Sequence, residues 1–222
     1  MKILVTAGGT EEPIDGVRRL TNTSTGATGT VLAQAFAAHG AEVLLLHAER
    51  ARVDEIPCRR ETFVTFGDLE QSLKNHLGNE DFDAVVHLAA VGDYALHSIE
   101  VDGILVFPGS PGKIGSGHRL TLHLRPTPKL IDRLRGWSRN SEIVVVAFKL
   151  TDEPDDTLRR AAVDRLLDRA RPDLVVHNDL SGIGPDGHEA RIFDSDGEIA
   201  HIATKDQLAR ELWNLISERI TV

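Results

Sequence analysis

Two segments rich in glycine and hydroxyl side chains follow the first apolar segment of the chain, and their composition suits the binding of an anion. The first is TAGGT at residues 6–10, and the second is NTSTGATG at residues 22–29. Glycine lets backbone N–H groups approach a phosphate, and the free N–H groups at a helix N-terminus also bind anions. A strand-to-helix connection usually takes about 2 to 6 residues. The much longer connection over residues 8–25 therefore predicts a binding site.

Each of these segments also has an ordinary structural explanation. Residues 8–10 could contact an anion through backbone N–H groups and the Thr10 hydroxyl, or they could form a plain turn after a strand. Residues 24–26 could hold a phosphate at the start of the first helix, while Ser24 or Thr25 could serve as its N-cap. Capping and ligand binding are compatible, so both explanations stay open.

Four charged side chains elsewhere in the chain are further candidates for ligand binding. Asp93 follows an apolar strand and could bind a ribose hydroxyl or a cation, or be an ordinary loop aspartate. Lys113 lies in a loop of glycine, serine and proline, and could close over a phosphate or remain a solvated lysine. Arg165 and Arg169 are four residues apart and share a helix face, which an exposed ion-pair surface would also explain.

Other ligand-binding patterns do not match the sequence. The GxGxxG fingerprint of dinucleotide-binding proteins does not follow the first strand, because the glycines are spread over two segments. A nicotinamide-dependent reductase of the short-chain type would carry a lysine four residues after its tyrosine, whereas Ser98 follows Tyr94 at that spacing. The ten histidines and the single cysteine show no metal-ligand spacing. A reductase with a Rossmann-like sheet is kept as an alternative.

Composition restricts the class of protein. The formal net charge of −9 argues against a general nucleic-acid surface, although a few local cations could still bind a small anion. No apolar segment approaches the roughly 18 residues needed to span a membrane, and Met1 leads into a strand with no signal peptide ahead of it. Because Cys58 is the single cysteine, an internal disulfide is excluded and a reducing, cytoplasmic location is expected.

Apolar segments alternate with helical patterns along the chain, which predicts one α/β domain over residues 1–222 with a mostly parallel, Rossmann-like, three-layer fold. The predicted strands are residues 2–6, 42–47, 84–89, 143–149 and 174–177. The predicted helices are residues 29–40, 69–74, 128–137, 155–170 and 205–219. Two hairpins interrupt this order: an inserted arm at about 102–126, and a C-terminal antiparallel hairpin, 190–193 with 198–202.

Seven short motifs, taken in order, resemble those of the phosphopantothenoylcysteine synthetases. They are TAGGTEEPID at 6–15, VRRLTNTSTG at 17–26, AAVGDY at 89–94, KI at 113–114, TPKL at 127–130, AFKL at 147–150 and HNDL at 177–180. The resemblance covers nearly the whole chain. It implies a ligase that joins 4′-phosphopantothenate to cysteine through an acyl-cytidylate, with CTP as co-substrate and Mg²⁺ as cofactor, in coenzyme A biosynthesis.

The residues FKL at 148–150 and KIGS at 113–116 resemble the free-standing bacterial form of the family. That form implies no flavin, a separate decarboxylase in the pathway, and a homodimer. We expect the arm at 102–126 to cross the two-fold axis of this dimer, because an exposed antiparallel arm would otherwise leave unpaired strand edges.

The resemblance also implies roles for individual residues. Asn22 would hold the acyl-cytidylate with Arg18 nearby, and Lys113 would be the catalytic lysine. The residues implied in substrate binding are Gly8, Gly9, Thr10, Ser24, Thr25, Gly26 and Ala89. Those implied in nucleotide binding are Asp93, Lys113, Thr127, Pro128, Lys129, Leu130, Phe148, Arg165 and Arg169. No residue is assigned to the metal, and a catalytically idle nucleotide-binding relative is a further alternative.

Overall fold

The computed structural model describes residues 1–109, 112–184 and 188–221. In chain order the strands are β1 (Lys2–Ala7), β2 (Glu11–Pro13), β3 (Arg19–Thr21), β4 (Glu42–Ala48), β5 (Arg59–Phe63), β6 (Ala84–His87), β7 (Tyr94–Val101), β8 (Ile104–Val106), β9 (Leu120–Pro126), β10 (Val144–Thr151), β11 (Leu174–Asp179), β12 (Ala190–Asp194) and β13 (Gly197–Ile202). The helices are α1 (Ala27–Ala38), α2 (Phe66–Asn79), α3 (Leu134–Trp137), α4 (Asp156–Ala170) and α5 (Lys205–Thr221), with short 3₁₀ helices at Leu130–Arg133 and Leu180–Gly182.

The largest sheet contains eight strands in the order β13-β12-β11-β10-β6-β1-β4-β5. The six strands from β11 to β5 pair in parallel, while β12 and β13 are antiparallel to their neighbours. The prediction of a mostly parallel sheet with a C-terminal antiparallel hairpin is therefore confirmed. The five predicted strands of the parallel part correspond to β1, β4, β6, β10 and β11.

Both faces of this sheet are buried, and alternate residues of β1 show how. Ile3 packs in a cluster with Phe36 of α1 and Leu212 of α5, on one face. Leu4 packs in a second cluster with Leu73 of α2, on the other face. All five side chains have no exposed surface, and burying each contributes about 1.5 to 3 kcal/mol. A sheet covered on both faces explains why the parallel strands are continuous apolar segments.

The order of the strands reverses between β1 and β6. From β1 the chain proceeds outward to β4 and β5, then returns to the other side of β1 and continues through β6, β10 and β11. Open α/β sheets bind ligands at the carboxyl ends of the strands beside such a reversal. The segments that follow β1, β6 and β10 are therefore the ones positioned for a site.

The connection from β1 to α1 is a small hairpin rather than an irregular loop. Strands β2 and β3 pair in antiparallel register, with Glu11 opposite Thr21 and Pro13 opposite Arg19. Each strand has only three residues, which is too short to produce an alternating pattern in the sequence. The prediction placed two phosphate-binding segments here and missed the hairpin between them.

The predicted arm is a three-stranded sheet, and the predicted pairing of its strands was wrong. Strands β8 and β9 match the two predicted segments, but both pair with β7, in the order β8-β7-β9. Asp102 and Gly103 form the turn between β7 and β8 with φ values of 51° and 84°, typical of a two-residue hairpin. Residues 110 and 111 of the predicted arm lie outside the described residues.

The helices differ from prediction mainly in their bounds. The predicted helix at 128–137 consists of the 3₁₀ helix Leu130–Arg133 followed by the single turn α3, because Pro128 and the residue before it favour extended backbone. The closing helix α5 agrees with its predicted position. Helix α1 begins two residues before its predicted start, and Gly40 follows it with φ +88°. No helix among the described residues is long and apolar enough to cross a membrane.

Candidate active site

A cleft of about 840 Å³ opens at the carboxyl edge of the sheet, beside the strand-order reversal. Its wall is built by the segments after β1, β6 and β10, the start of α1, and one face of α4. The sequence-predicted residues that line it are Gly8, Asn22, Ser24, Thr25, Gly26, Ala89, Asp93, Thr127, Pro128, Lys129, Leu130, Phe148, Arg165 and Arg169. The fold thus brings together predicted residues that are up to 161 positions apart in the sequence, from Gly8 to Arg169.

The N-terminus of α1 faces this cleft, and its N-cap residue carries no side chain. That residue is Gly26, with φ 77°, and the Thr25 Oγ1 just before it accepts a hydrogen bond of 3.4 Å from the Ala27 N–H. Ser24 and Thr25 precede the cap and line the cleft. The first turn contains no acidic residue. The N–H groups of Thr28 and Gly29 and the positive end of the helix dipole are therefore available to an anion.

Gly8, Gly9 and Gly26 are required by close packing within the chain. A Cβ on Gly8, whose φ is +85°, would lie 2.6 Å from the Cβ of Ala48. A Cβ on Gly9 would lie 2.4 Å from the backbone oxygen of Asn22. Gly9 is not among the described residues that line the cleft. Glycine at this position allows the start of the hairpin to lie against Asn22.

Two threonine hydroxyls hold the segment after β6 that forms one wall of the cleft. The Thr6 Oγ1 accepts hydrogen bonds from the N–H groups of Leu88 at 3.1 Å and Ala89 at 3.0 Å. The Thr10 Oγ1 accepts one from the Gly92 N–H at 2.9 Å. Thr10 is 1% exposed and is not among the described residues that line the cleft, but it lines a smaller adjoining cavity, so its hydroxyl supports the wall at that cavity.

The proton on Thr6 is directed toward the buried ring of His87. Thr6 Oγ1 lies 3.0 Å from His87 Nδ1, and the hydroxyl already accepts two backbone hydrogen bonds. Its own proton is then donated to an unprotonated Nδ1. Burial lowers the pKa of His87 to about 4, so the ring is neutral at pH 7 and serves the architecture of the wall.

Asn22 lies at the junction of two cavities. It lines the large cleft and a smaller adjoining cavity of about 300 Å³. Its Nδ2 donates a hydrogen bond to the Val91 carbonyl at 3.2 Å. Within the described part of the chain Oδ1 has no protein donor, and one N–H of the amide is also left over. Asn22 can therefore both donate to and accept from a ligand that spans the two cavities.

The facing wall is formed by the segments around Asp93 and Thr127. The Thr127 Oγ1 donates to the Gly92 carbonyl at 2.7 Å, and the Thr127 N–H donates to the Asp93 carbonyl at 2.9 Å. The Lys129 ammonium forms an ion pair with the Asp93 carboxylate. These contacts join two predicted nucleotide-binding segments into one rigid rim.

Positive charge is concentrated in the cleft. Among its described lining residues the cationic side chains are Lys129, Lys149, Arg165 and Arg169, against the single carboxylate of Asp93. Burial lowers the pKa of Lys149, and the nearby charge of Lys129 lowers it further. Lys129 pairs with Asp93, and Arg169 pairs with Asp132 at 3.0 Å. Lys149 and Arg165 are therefore the lining cations without an ion pair among the described residues. In a chain with a formal net charge of −9, this local excess of cations favours an anionic ligand.

Sequence reasoning missed Lys149, Asn178 and His188, which also line the cleft. Lys149 sits near the end of an apolar strand, and a cation in such a segment was a usable signal. His188 is 7% exposed, and its pKa is lowered by burial. Its Nε2 lies 3.4 Å from the Asn178 Nδ2, while its buried Nδ1 has no hydrogen-bond partner among the described residues.

Two predicted catalytic residues, Arg18 and Lys113, lie outside the lining of the cleft. Arg18 Nη1 forms an ion pair with Asp15 at 3.0 Å in the turn between β2 and β3. Lys113 is exposed on the loop between β8 and β9, which contacts the same turn through Gly112 and Ile114. The sequence predicted these two residues in the site, and the structure of one chain does not bring them there.

The described residues contain no cluster of three or more histidine, cysteine, aspartate or glutamate side chains able to hold a metal ion. Among the described residues that line the cleft, Asp93 carries the single carboxylate, so a divalent cation held by these residues would depend on ligand oxygens for the rest of its coordination. Mg²⁺ commonly binds in this way, through one or two carboxylates and the phosphates of a nucleotide.

The chain is similar to a known protein family and to several of its curated members. The family model for the DNA/pantothenate metabolism flavoprotein C-terminal domain matches residues 1–220. The coenzyme A biosynthesis bifunctional protein CoaBC of Thermococcus kodakarensis is 30% identical over 220 residues, covering 99% of this chain and 51% of that protein. The CoaBC protein of Haemophilus influenzae is 28% identical over 224 residues, covering 99% and 52%. The chain thus spans about half the length of these curated relatives.

Solved structures agree with the fold. The DNA/pantothenate metabolism flavoprotein from Streptococcus pneumoniae superposes with a TM-score of 0.85 at 28% identity, covering 98% of this chain and 99% of that one. A Cab2 mutant in complex with phosphopantothenate-cysteine has a TM-score of 0.76 at 20% identity, covering 99% and 87%, which is a likeness of fold. Since the family model extends over residues 1–220 of 222, the chain belongs to the DNA/pantothenate metabolism flavoprotein C-terminal domain family.

Proposed function

We propose that the chain joins 4′-phosphopantothenate to L-cysteine through an acyl-cytidylate formed from CTP, as a phosphopantothenate–cysteine ligase of coenzyme A biosynthesis. One observation carries the proposal: the cleft places four cationic side chains beside the N-terminus of α1, whose N-cap residue is glycine. This arrangement suits a ligand with several phosphate groups. Relatives named for coenzyme A biosynthesis, at up to 30% identity, support the pathway.

In the first step the carboxylate of phosphopantothenate attacks the α-phosphorus of CTP. A carboxylate–phosphorus bond forms, the bond to the β-phosphate oxygen breaks, and pyrophosphate leaves. Negative charge develops on phosphoryl oxygens, so fixed cations stabilise the transition state more than the ground state. Four cations are placed to supply that stabilisation: Lys129, Lys149, Arg165 and Arg169. The N-terminus of α1 can hold the phosphate group of phosphopantothenate.

In the second step the cysteine amino group attacks the acyl carbon of the mixed anhydride. The new amide bond forms, the bond to CMP breaks, and the amine loses a proton. Asn22 fits the position between the two reactants, because it lies where the cleft meets the smaller cavity and has free amide donor and acceptor capacity. Holding both reactants in this way converts a bimolecular reaction into an intramolecular one.

Mg²⁺ fits the cleft as an ion held mainly by the nucleotide. Asp93 is the carboxylate that could join the phosphate oxygens in holding it, after exchanging its ion pair with Lys129. When bound, the ion would neutralise charge on the phosphates. Lys129 would then be released toward the nucleotide.

A homodimer is part of the proposal, and the arm of β7, β8 and β9 supports it. Ile104 and Phe107 on this arm are 71% and 85% exposed, and the three leucines of β9 are exposed too. The register places Leu120, Leu122 and Leu124 on one face of the sheet. An exposed apolar face of this kind suits a second copy of the chain. Because Lys113 is outside its own cleft, the partner's cleft is a natural place for it to act.

The reaction itself tests the function. The protein is incubated with phosphopantothenate, cysteine, Mg²⁺ and each nucleoside triphosphate in turn, and the products are separated by mass. We expect phosphopantothenoylcysteine, CMP and pyrophosphate with CTP, and acyl-cytidylate with pyrophosphate when cysteine is omitted. Absence of CMP and pyrophosphate with CTP would overturn the proposal, while AMP from ATP would change only the nucleotide.

Two further parts of the proposal concern the cellular setting. The product still carries the cysteine carboxyl group, so we propose that a decarboxylase acts on it. The free thiol of Cys58 fits a reducing compartment, and the proposal places the reaction in the cytoplasm.

The reductase alternative gains no support from the structure, because Gly8 and Gly9 pack against Ala48 and Asn22 rather than forming a dinucleotide turn.

A further inference from the structure

Asp15, in the turn between β2 and β3, is a buried carboxylate with both oxygens in use. Its Oδ1 accepts hydrogen bonds from the N–H groups of Val17 at 2.9 Å and Arg18 at 2.8 Å. Its Oδ2 accepts from Arg18 Nη1 and from the Ile114 N–H, both at 3.0 Å. Asp15 is 3% exposed, and these donors, the Val17 N–H foremost, hold the pKa of its carboxyl below the usual range. Four donors match the acceptor capacity of an ionised carboxylate.

The loop that carries Lys113 is attached to this turn on both sides of the lysine. The Gly16 N–H donates to the Gly112 carbonyl at 2.8 Å, and Arg18 Nη2 donates to the Ile114 carbonyl at 3.2 Å. A Cβ on Gly16 would lie 2.8 Å from the Gly112 oxygen, so the approach depends on glycine. The Lys113 side chain is exposed and has no hydrogen bond or ion pair within the described residues. The backbone is held while the ammonium group stays available.

We propose that Asp15 is a positioning residue for Lys113: through the Ile114 N–H its carboxylate fixes the backbone beside the lysine, so that the ammonium reaches the reacting phosphate. The inference rests on the proposed function, because it takes Lys113 as a group that contacts substrate. Asp15 and Ile114 are 99 residues apart, so local sequence preference cannot hold the loop here. Without this anchor a loop with glycines at 112, 115 and 117 would sample many positions.

The variant Asp15→Asn separates this role from the folding of the turn. The amide oxygen can still accept from the Val17 and Arg18 N–H groups, but its NH₂ group would face two donors, the Ile114 N–H and the Arg18 guanidinium. Asp68→Asn is the matched control. Asp68 also accepts two backbone N–H hydrogen bonds, at 3.2 and 2.8 Å, but at the start of α2 and away from the lysine loop.

Steady-state kinetics of the intact protein with CTP, phosphopantothenate and cysteine then test the proposal. We expect Asp15→Asn to lower kcat about 10- to 100-fold with little change in KM, because misplacing a catalytic group affects mainly the chemical step. Asp68→Asn should retain the wild-type kcat. The double variant Asp15→Asn with Lys113→Ala should have the same kcat as Lys113→Ala alone, since residues acting through one group are not additive. Hydrogen exchange at the Ile114 amide should be faster in Asp15→Asn only.

Three results would overturn the proposal: a wild-type kcat for Asp15→Asn, an equal further loss when Asp15→Asn is added to Lys113→Ala, or unchanged exchange at Ile114. If Asp15→Asn does not fold, Ile114→Pro removes the N–H donor from the exposed loop instead, and full kcat in that variant overturns the proposal. If the wild-type protein forms no product, the proposed function fails by itself. Exchange at Ile114 in Asp15→Asn and Asp68→Asn then still decides whether Asp15 holds the loop.

Discussion

The Thr10 hydroxyl accepts a hydrogen bond of 2.9 Å from the Gly92 N–H, across 82 residues of sequence. This contact joins the segment between β1 and β2 to the segment that carries Asp93 on the rim of the cleft. The Thr127 hydroxyl donates to the Gly92 carbonyl on the opposite side of the same peptide segment. Gly92 is thus held between two threonines, and the position of the rim depends on both.

Replacing Thr10 with valine should destabilise the protein and weaken nucleotide binding together. Valine removes the acceptor from the part-buried Gly92 N–H, which costs about 1 to 2 kcal/mol of unfolding free energy. Thr10→Ser keeps the hydroxyl and is the control. Urea denaturation gives the stabilities, and CTP titration gives the affinities. Equal stability of the two variants would show that the Gly92 contact contributes nothing.

Lys149→Gln should weaken binding of CTP about tenfold or more. A hydrogen bond to a charged group contributes about 1.5 to 3 kcal/mol, and Lys149 is a half-buried cation in the cleft. Lys74→Gln on α2, where Lys74 pairs with Glu70 at 3.2 Å, is a matched loss of charge outside the cleft. Isothermal titration compares the two. Equal affinities would exclude Lys149 from the nucleotide site.

The same lysine should give CTP binding a particular pH dependence. Burial first and the charge of Lys129 second lower the pKa of Lys149 below the ordinary lysine value. The protonated form binds phosphate, so affinity should fall as pH rises through this lowered pKa, before exposed lysines lose their charge. The Lys149→Gln variant should lack that phase. A decline of the same shape in both proteins would assign it to another group.

The parallel sheet could be predicted because its strands are buried on both faces. The segment from Val144 to Ala147 is apolar without interruption, and so is Leu174–Val176. Strand β7 was missed because its sequence, YALHSIEV, mixes polar and apolar residues, and a bulge between Leu96 and Ser98 shifts the alternation. The turn signal Asp102-Gly103 was present in the sequence and overlooked.

The site could be predicted only in part, for a related reason. Residues near strand ends, such as Asp93 and Phe148, came from motifs, and the fold brings them to one cleft. Lys149 was read only as part of a strand, although a cation near the end of an apolar segment was a usable signal. Lys113 and Arg18 are placed by contacts between residues about 96 positions apart, and no local pattern encodes such contacts.

Glu80 should contribute to the pH dependence of stability. Its hydrogen bond to His76 foremost, with those to Lys2 and Arg59, lowers its pKa from 4.5 to about 2. A carboxyl group whose pKa is lowered by folding stabilises the folded state at pH values above its pKa in the unfolded chain. That stabilisation is lost as the pH falls from about 4.5 toward 2. The Glu80→Gln variant should lose about 1 kcal/mol at pH 7 after solvent screening, and less at pH 3. Unfolding curves at both values test this, and a constant difference would contradict it.

Asn22→Ala should abolish product formation while preserving CTP binding. Asn22 lies where the cleft meets the smaller cavity, whereas the cations lie along the cleft itself. Loss of its amide should therefore affect the acyl intermediate more than the triphosphate. Single-turnover assays and CTP titration separate the two effects. Normal turnover in the variant would remove Asn22 from the proposed reaction.

Mixing two inactive variants should restore activity if each cleft takes its lysine from the partner. Lys113 lies outside the cleft of its own chain, while Asn22 lines it. In a mixed dimer of Asn22→Ala and Lys113→Ala subunits, one of the two clefts would then combine an intact Asn22 with the partner's intact Lys113. Random exchange of subunits should give about a quarter of the wild-type activity per subunit. If Lys113 acts within its own chain, both clefts of the mixed dimer stay defective and the mixture remains inactive. Light scattering on the same samples reports whether dimers are present, so a monomeric protein would contradict the proposed assembly directly.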